Sequence, residues 1–140
     1  GRDIRSAHCS LTAHCAHGYC EERVLNNRSF LRTAILVLAA ITAIIHFVRA
    51  PGAGIPFVLN GIGFLALAAL VVVQPAFLAG REALVRYALI AFSIVTILAW
   101  VVLGDKSLPE GWMGYVAKID ELLLIAATWA FGRLTPGRRP

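Results

Sequence analysis

Three ionisable residues, Lys118, Asp120 and Glu121, lie inside residues 115–134 (YVAKIDELLLIAATWAFGRL), a run that is otherwise apolar and long enough to cross a membrane. At mid-bilayer each such charge costs about 2.5–3.5 kcal/mol on insertion scales, so these groups must be paired, interfacial or functional. A histidine, His46, stands late in a second apolar run, Asn60 early in a third, and Trp100 late in a fourth. A carboxylate and an imidazole that met within a bundle could hold a proton or bind the polar end of a ligand. A histidine inside a membrane could also be the axial ligand of a haem or pigment. A bis-histidine haem within one copy is excluded, because the other three histidines fall outside the apolar runs.

Those three, His8, His14 and His17, cluster with all three cysteines, Cys9, Cys15 and Cys20, in the polar N-terminal tract 1–28. Thiolate and imidazole suit zinc, iron or copper. The pattern HC-x4-HC-x-H-x2-C nevertheless lacks a paired CxxC and the CxxCH of covalent haem. The tract therefore reads as a flexible tail with reactive thiols, with a metal site or redox sensor as the alternative. A third reading takes Glu21-Glu22-Arg23 as translated ribosome-binding sequence before a start at Val24 or Leu25. The first ten residues, GRDIRSAHCS, have no apolar core of the kind a secretory signal needs.

The elements that must position these groups are helices. The chain has 140 residues, of which 59% are hydrophobic and only 15% charged, which points to a membrane protein with no soluble domain of useful size. Four runs, about 29–48, 56–79, 83–103 and 115–134, approach or exceed the roughly 20 residues that span the hydrocarbon core. The expected fold is an all-α four-helix transmembrane bundle with short loops, a polar tail at 1–28 and a basic tail at 135–140. Pro51, Gly52, Gly54 and Pro56 should end the first helix near Val48, and Gly61 and Gly63 leave room for a neighbour to approach the second.

Net charge is +5, with no stripe of basic and aromatic residues to suggest nucleic acid. An even number of spans puts both termini and the 80–82 turn on one side. Of the 13 Lys and Arg residues, all but Arg49, Lys106 and Lys118 belong to that side, so the positive-inside rule places both termini in the cytoplasm of a cell (inner) membrane. Cysteines there meet a reducing compartment, which argues against a disulfide framework.

Topology then gives the polar groups a common depth. The first helix runs outward to His46, and the fourth runs inward from Tyr115, so that Asp120 and Glu121 lie about 8 Å inside its start. Asn60 and Trp100 fall in the same layer. Residues 120 and 121 diverge by about 100° on a helix and need different partners. Lys118 and Glu121, three apart, can pair locally with the lysine stem reaching the headgroups, which leaves Asp120 to bond His46. Such a pair pins the first helix to the fourth, or forms a site for a proton or ligand.

No other catalytic constellation is visible. Ser29, Ser93 and Ser107 have no histidine and carboxylate at suggestive spacing, and Gly61-x-Gly63 is not a phosphate loop. The segments AIIHF, PFVLNGIGFLALAALV, LAWVV and KIDELLLI, across about residues 30–132, resemble small four-helix integral membrane proteins of bacteria and archaea that carry no assigned activity. The resemblance implies the fold and no mechanism. The function expected from the sequence is a non-catalytic accessory subunit of a larger membrane complex, plausibly an energy-transducing one, in contact with lipid and with other integral subunits or copies of itself. The alternatives are a bundle handling a lipophilic ligand or proton through His46 and Asp120, and a metal-binding or redox-sensing protein acting through the N-terminal tract.

Overall fold

The computed structural model describes residues 5–108 and 111–134, with side chains described from residue 25 onward apart from residue 53. Four helices follow one another: α1 (Arg5–Ala53), α2 (Ile55–Val73), α3 (Glu82–Leu103) and α4 (Trp112–Leu134). A short 3-10 turn, Ala76–Leu78, lies between α2 and α3. Helices α1 and α3 each pack against both α2 and α4, so the four form a ring in chain order with alternating directions.

Three helix boundaries differ from the sequence expectation by five residues or more. Helix α1 begins at Arg5 rather than at Ser29, so most of the polar tract is a helical extension of the first span and not a separate tail. It also runs past Val48 to Ala53 with Pro51 inside its last turn. The proline ring takes away the hydrogen bond to the carbonyl four residues back and crowds the preceding turn, a cost that falls here on the end of the helix. What ends α1 is Gly54, at φ 85, a conformation a side chain would oppose. Its N–H returns to the Ala50 carbonyl at 2.8 Å, and Pro56 then occupies the first turn of α2. Helix α2 stops at Val73, earlier than residue 79. Gln74 takes the left-handed cap conformation, and Pro75 cannot continue the helix.

Each helix turns one stripe inward: Ile35, Ala39, Thr42, Ala43 and His46 on α1; Gly61, Phe64, Ala68 and Val71 on α2; Val85, Leu89, Ser93 and Thr96 on α3; Ala117, Asp120, Glu121, Leu124, Thr128 and Phe131 on α4. These spacings of three, four and seven are the period of a helix face. Many other large apolar residues, Ile44, Val48, Leu59, Val95 and Leu98 among them, point outward, as a bilayer solvent permits. In lipid, apolar burial gives little drive, so close packing and interhelical hydrogen bonds must hold the helices together. Gly61 accordingly takes the ring of Phe47 from α1, and Gly63 that of Phe92 from α3, in the space a side chain would fill. Phe64 sits at the centre, edge-on to Phe92 with centroids 4.9 Å apart.

Three stretches are long and apolar enough to cross a membrane: Leu25–Gly52, Ile55–Val73 and Glu82–Leu103. Helix α4 has 23 residues, about 35 Å of helix and length enough for a fourth span. Its Lys118, Asp120, Glu121 and Arg133 set it apart in composition.

Candidate functional site

The inward stripe of α4 carries two adjacent carboxyls to different neighbours. Asp120, 7% exposed, accepts the Thr42 hydroxyl of α1 at 2.5 Å. Glu121, fully buried, accepts the Thr96 hydroxyl of α3 at 2.8 Å and the Lys118 ammonium at 2.5 Å. The divergence follows from the 100° step between consecutive helical residues and from α4 lying between α1 and α3 in the ring.

The expected direct bond between His46 and Asp120 is absent. His46 Nδ1 lies 2.8 Å from the carbonyl of Thr42, one turn back on its own helix, so Thr42 stands between the two, bonding the histidine through its carbonyl and the aspartate through its hydroxyl. Lys118 also departs from expectation. Its ammonium does not rise to the headgroups but turns inward to Glu121 and to the Thr96 carbonyl, at 3.3 Å. Two buried carboxyls and one ammonium therefore share this layer, and the ammonium neutralises Glu121. Asp120 has a hydroxyl, not a cation, for its partner among the described residues.

Above this layer is a cavity of about 430 Å³. His46 and Arg49 of α1, Phe57 and Asn60 of α2, Thr96 and Trp100 of α3, and Ala117 and Lys118 of α4 all contribute to its wall. Of the four residues grouped from the sequence, His46, Asn60 and Trp100 line it, whereas Asp120, bonded to Thr42, does not. Aromatic groups frame the space: the Phe57 ring is centred 5.5 Å from His46, and Trp100 meets Tyr115 edge-on at 4.9 Å.

Gly104, Asp105 and Gly111 add to the cavity wall. Lys106 lies over the Trp100 ring at 5.9 Å, and Tyr115 donates its hydroxyl to the Lys106 carbonyl at 3.2 Å. Asp105 accepts the Ser107 N–H at 2.9 Å. That backbone bond, with further help from the Ser107 side chain and the positive charges of Arg49 and Lys106, holds the Asp105 carboxyl below the usual carboxylate range.

Sequence reasoning missed Thr42, Thr96 and Arg49. The hydroxyls were legible in principle, because Thr42 falls four residues before His46 on one helix face, and Thr96 four before Trp100. Near the opposite end a second, smaller cavity of about 200 Å³ lies between α3 and α4 beside Arg86, Trp129 and Arg133. There Thr128 is fully buried and its hydroxyl has no partner among the described residues. No group of three or more metal-ligating side chains occurs among the described residues. The candidate ligands His8, Cys9, His14, Cys15, His17 and Cys20 lie outside the described side chains, and residues 135–140 lie outside the described chain. No family model, curated protein or solved structure matches the chain.

Proposed function

We propose that the protein is a four-span membrane protein that binds a small lipophilic molecule in the cavity above the Thr42 and Thr96 layer. The cavity carries this reading. Its apolar and aromatic walls with a few convergent polar groups are the usual make-up of a small-molecule site, and a bundle interior is a usual place for one. In this reading α4 is the fourth span and keeps its charges on the inward face, where Thr42, Thr96 and Lys118 satisfy them. Arg28, Arg32, Arg86 and Arg133 collect at the end of the bundle away from the cavity, which supports a cytoplasmic assignment for that end and an outer-leaflet assignment for the cavity.

The test is native mass spectrometry of the full chain released from mild detergent. The expected result is a one-to-one small-molecule adduct that is lost on Asn60→Leu substitution. A bare protein mass, with no adduct after incubation with membrane lipid extract, would refute the proposal.

The reading as an accessory subunit rests on a different observation. The outward faces of α2 and α3 present Leu59, Ile62, Val95, Leu98 and Val102 to their surroundings, a continuous apolar surface that suits lipid or the helices of a larger complex. Migration of the mildly solubilised protein in a larger assembly supports it, and migration alone rejects it.

A further inference from the structure

The hydrogen bonds that the site has already used determine what it can still offer. A carbonyl oxygen only accepts, so the 2.8 Å contact with Thr42 requires that His46 Nδ1 carry the proton and donate. In the uncharged ring the second nitrogen, Nε2, is then an acceptor. It has no partner among the described residues and is not sealed from its surroundings, and His46 lines the cavity. Lys118 has three N–H donors, of which Glu121 and the Thr96 carbonyl take two. The third belongs to a side chain that also lines the cavity, and Lys118 is within electrostatic reach of the His46 ring. The Asn60 amide adds a further donor and acceptor.

The cavity therefore asks its ligand for a donor toward His46 and an acceptor toward Lys118. A carboxylate, a phosphodiester or a quinone offers acceptors alone and sets one against the Nε2 lone pair. An alkyl ammonium would find acceptors in His46 and Asp105, but it offers donors alone, meets the positive charges of Arg49 and Lys118 and leaves the third Lys118 donor unanswered. The walls add aromatic surface from Phe57 and Trp100, which favours an aromatic ring.

We infer that the head group held in the cavity is a quinol-type aromatic ring, with one hydroxyl donating to His46 Nε2 and a second ring oxygen accepting from the Lys118 ammonium. This inference rests on the ligand-binding reading above and identifies the class of ligand.

The experiment is anaerobic titration of the full chain in lipid nanodiscs, read by quenching of tryptophan fluorescence. The ligands are a decyl-substituted benzoquinol, the corresponding quinone, the quinol's dimethyl ether, decanol and decanoate. The quinol is expected to bind at least tenfold more tightly than the quinone or the ether, and His46→Phe is expected to erase that preference. Equal binding of quinol, quinone and ether by the unaltered protein overturns the inference without recourse to any variant. So does a preference that survives His46→Phe, or decanol or decanoate binding as tightly as the quinol; in these cases the ligand-binding reading stands while the head-group assignment falls. If none of the five ligands binds saturably, both fall together.

Discussion

The hydroxyl of Thr42 lies 2.5 Å from the Asp120 carboxylate and joins α1 to α4 in the buried centre of the bundle. Interhelical hydrogen bonds of this kind in membranes contribute about 0.6–2 kcal/mol, and losing this one strands a carboxyl. Thr42→Val should therefore destabilise the fold by an amount near the top of that range, while Thr42→Ser retains most of the stability. Unfolding titrations in mixed micelles measure both. Equal stability of the valine and serine variants would show that the contact contributes nothing.

Lys118 and Glu121 form the second fastening. Removing one partner of a buried ion pair leaves the other uncompensated and costs about 3–5 kcal/mol, whereas replacing both with apolar residues is often close to neutral. Glu121→Leu and Lys118→Met should each be strongly destabilising, and the double variant should recover most of the loss. The coupling from the double-mutant cycle is the quantity to measure. Additive losses would mean that the two side chains act independently.

Thr128 is the opposite case. Its hydroxyl is buried without a partner among the described residues, so exchange for the nearly isosteric valine removes an unsatisfied group. Thr128→Val should leave the fold as stable as before or more stable by about 1 kcal/mol. A loss of stability in the same unfolding assay would show that the hydroxyl is engaged.

Much of this architecture is legible in the amino-acid sequence. The apolar runs, the short Gly/Pro links and the inward placement of Asp120 follow from hydropathy and from the inadmissibility of bare charge in lipid, whereas Glu121, expected to pair with a Lys118 that reaches the headgroups, turns inward as well. What could not be read was how the polar residues divide among partners. Lys118 has stem enough to reach either the headgroups or Glu121, and only the proximity of the Thr96 carbonyl settles its course inward. Thr42 shares a helix face with His46, but its bond to Asp120 follows only from α4 lying beside α1. The end of α1 was misplaced because Pro51 marks a last turn as readily as a boundary, and here Gly54 supplies the break.

At the cavity wall, Asp105 accepts the Ser107 N–H in the loop beside Trp100. Because its folded-state pKa is depressed, the stabilisation is present above the carboxyl's unfolded value and is lost as pH falls through the lower, folded value. Trp100 emission should therefore hold steady across neutral and mildly acidic pH and change only below the usual carboxylate range. Asp105→Asn should abolish that acid transition. A transition that persists in the asparagine variant would assign it to another group.

The central claim is that the cavity beside Trp100 is a saturable site, and single-tryptophan proteins test it most directly. With Trp112→Phe and Trp129→Phe, only Trp100 reports; with Trp100→Phe and Trp112→Phe, only Trp129 does, exposed near the far end of α4. Titration with a brominated decyl-chain amphiphile in nanodiscs should quench Trp100 to a plateau at one molecule per chain. Trp129 quenching should rise in proportion to the amphiphile dissolved in the lipid. Proportional quenching of both tryptophans, with no plateau at Trp100, would contradict the account.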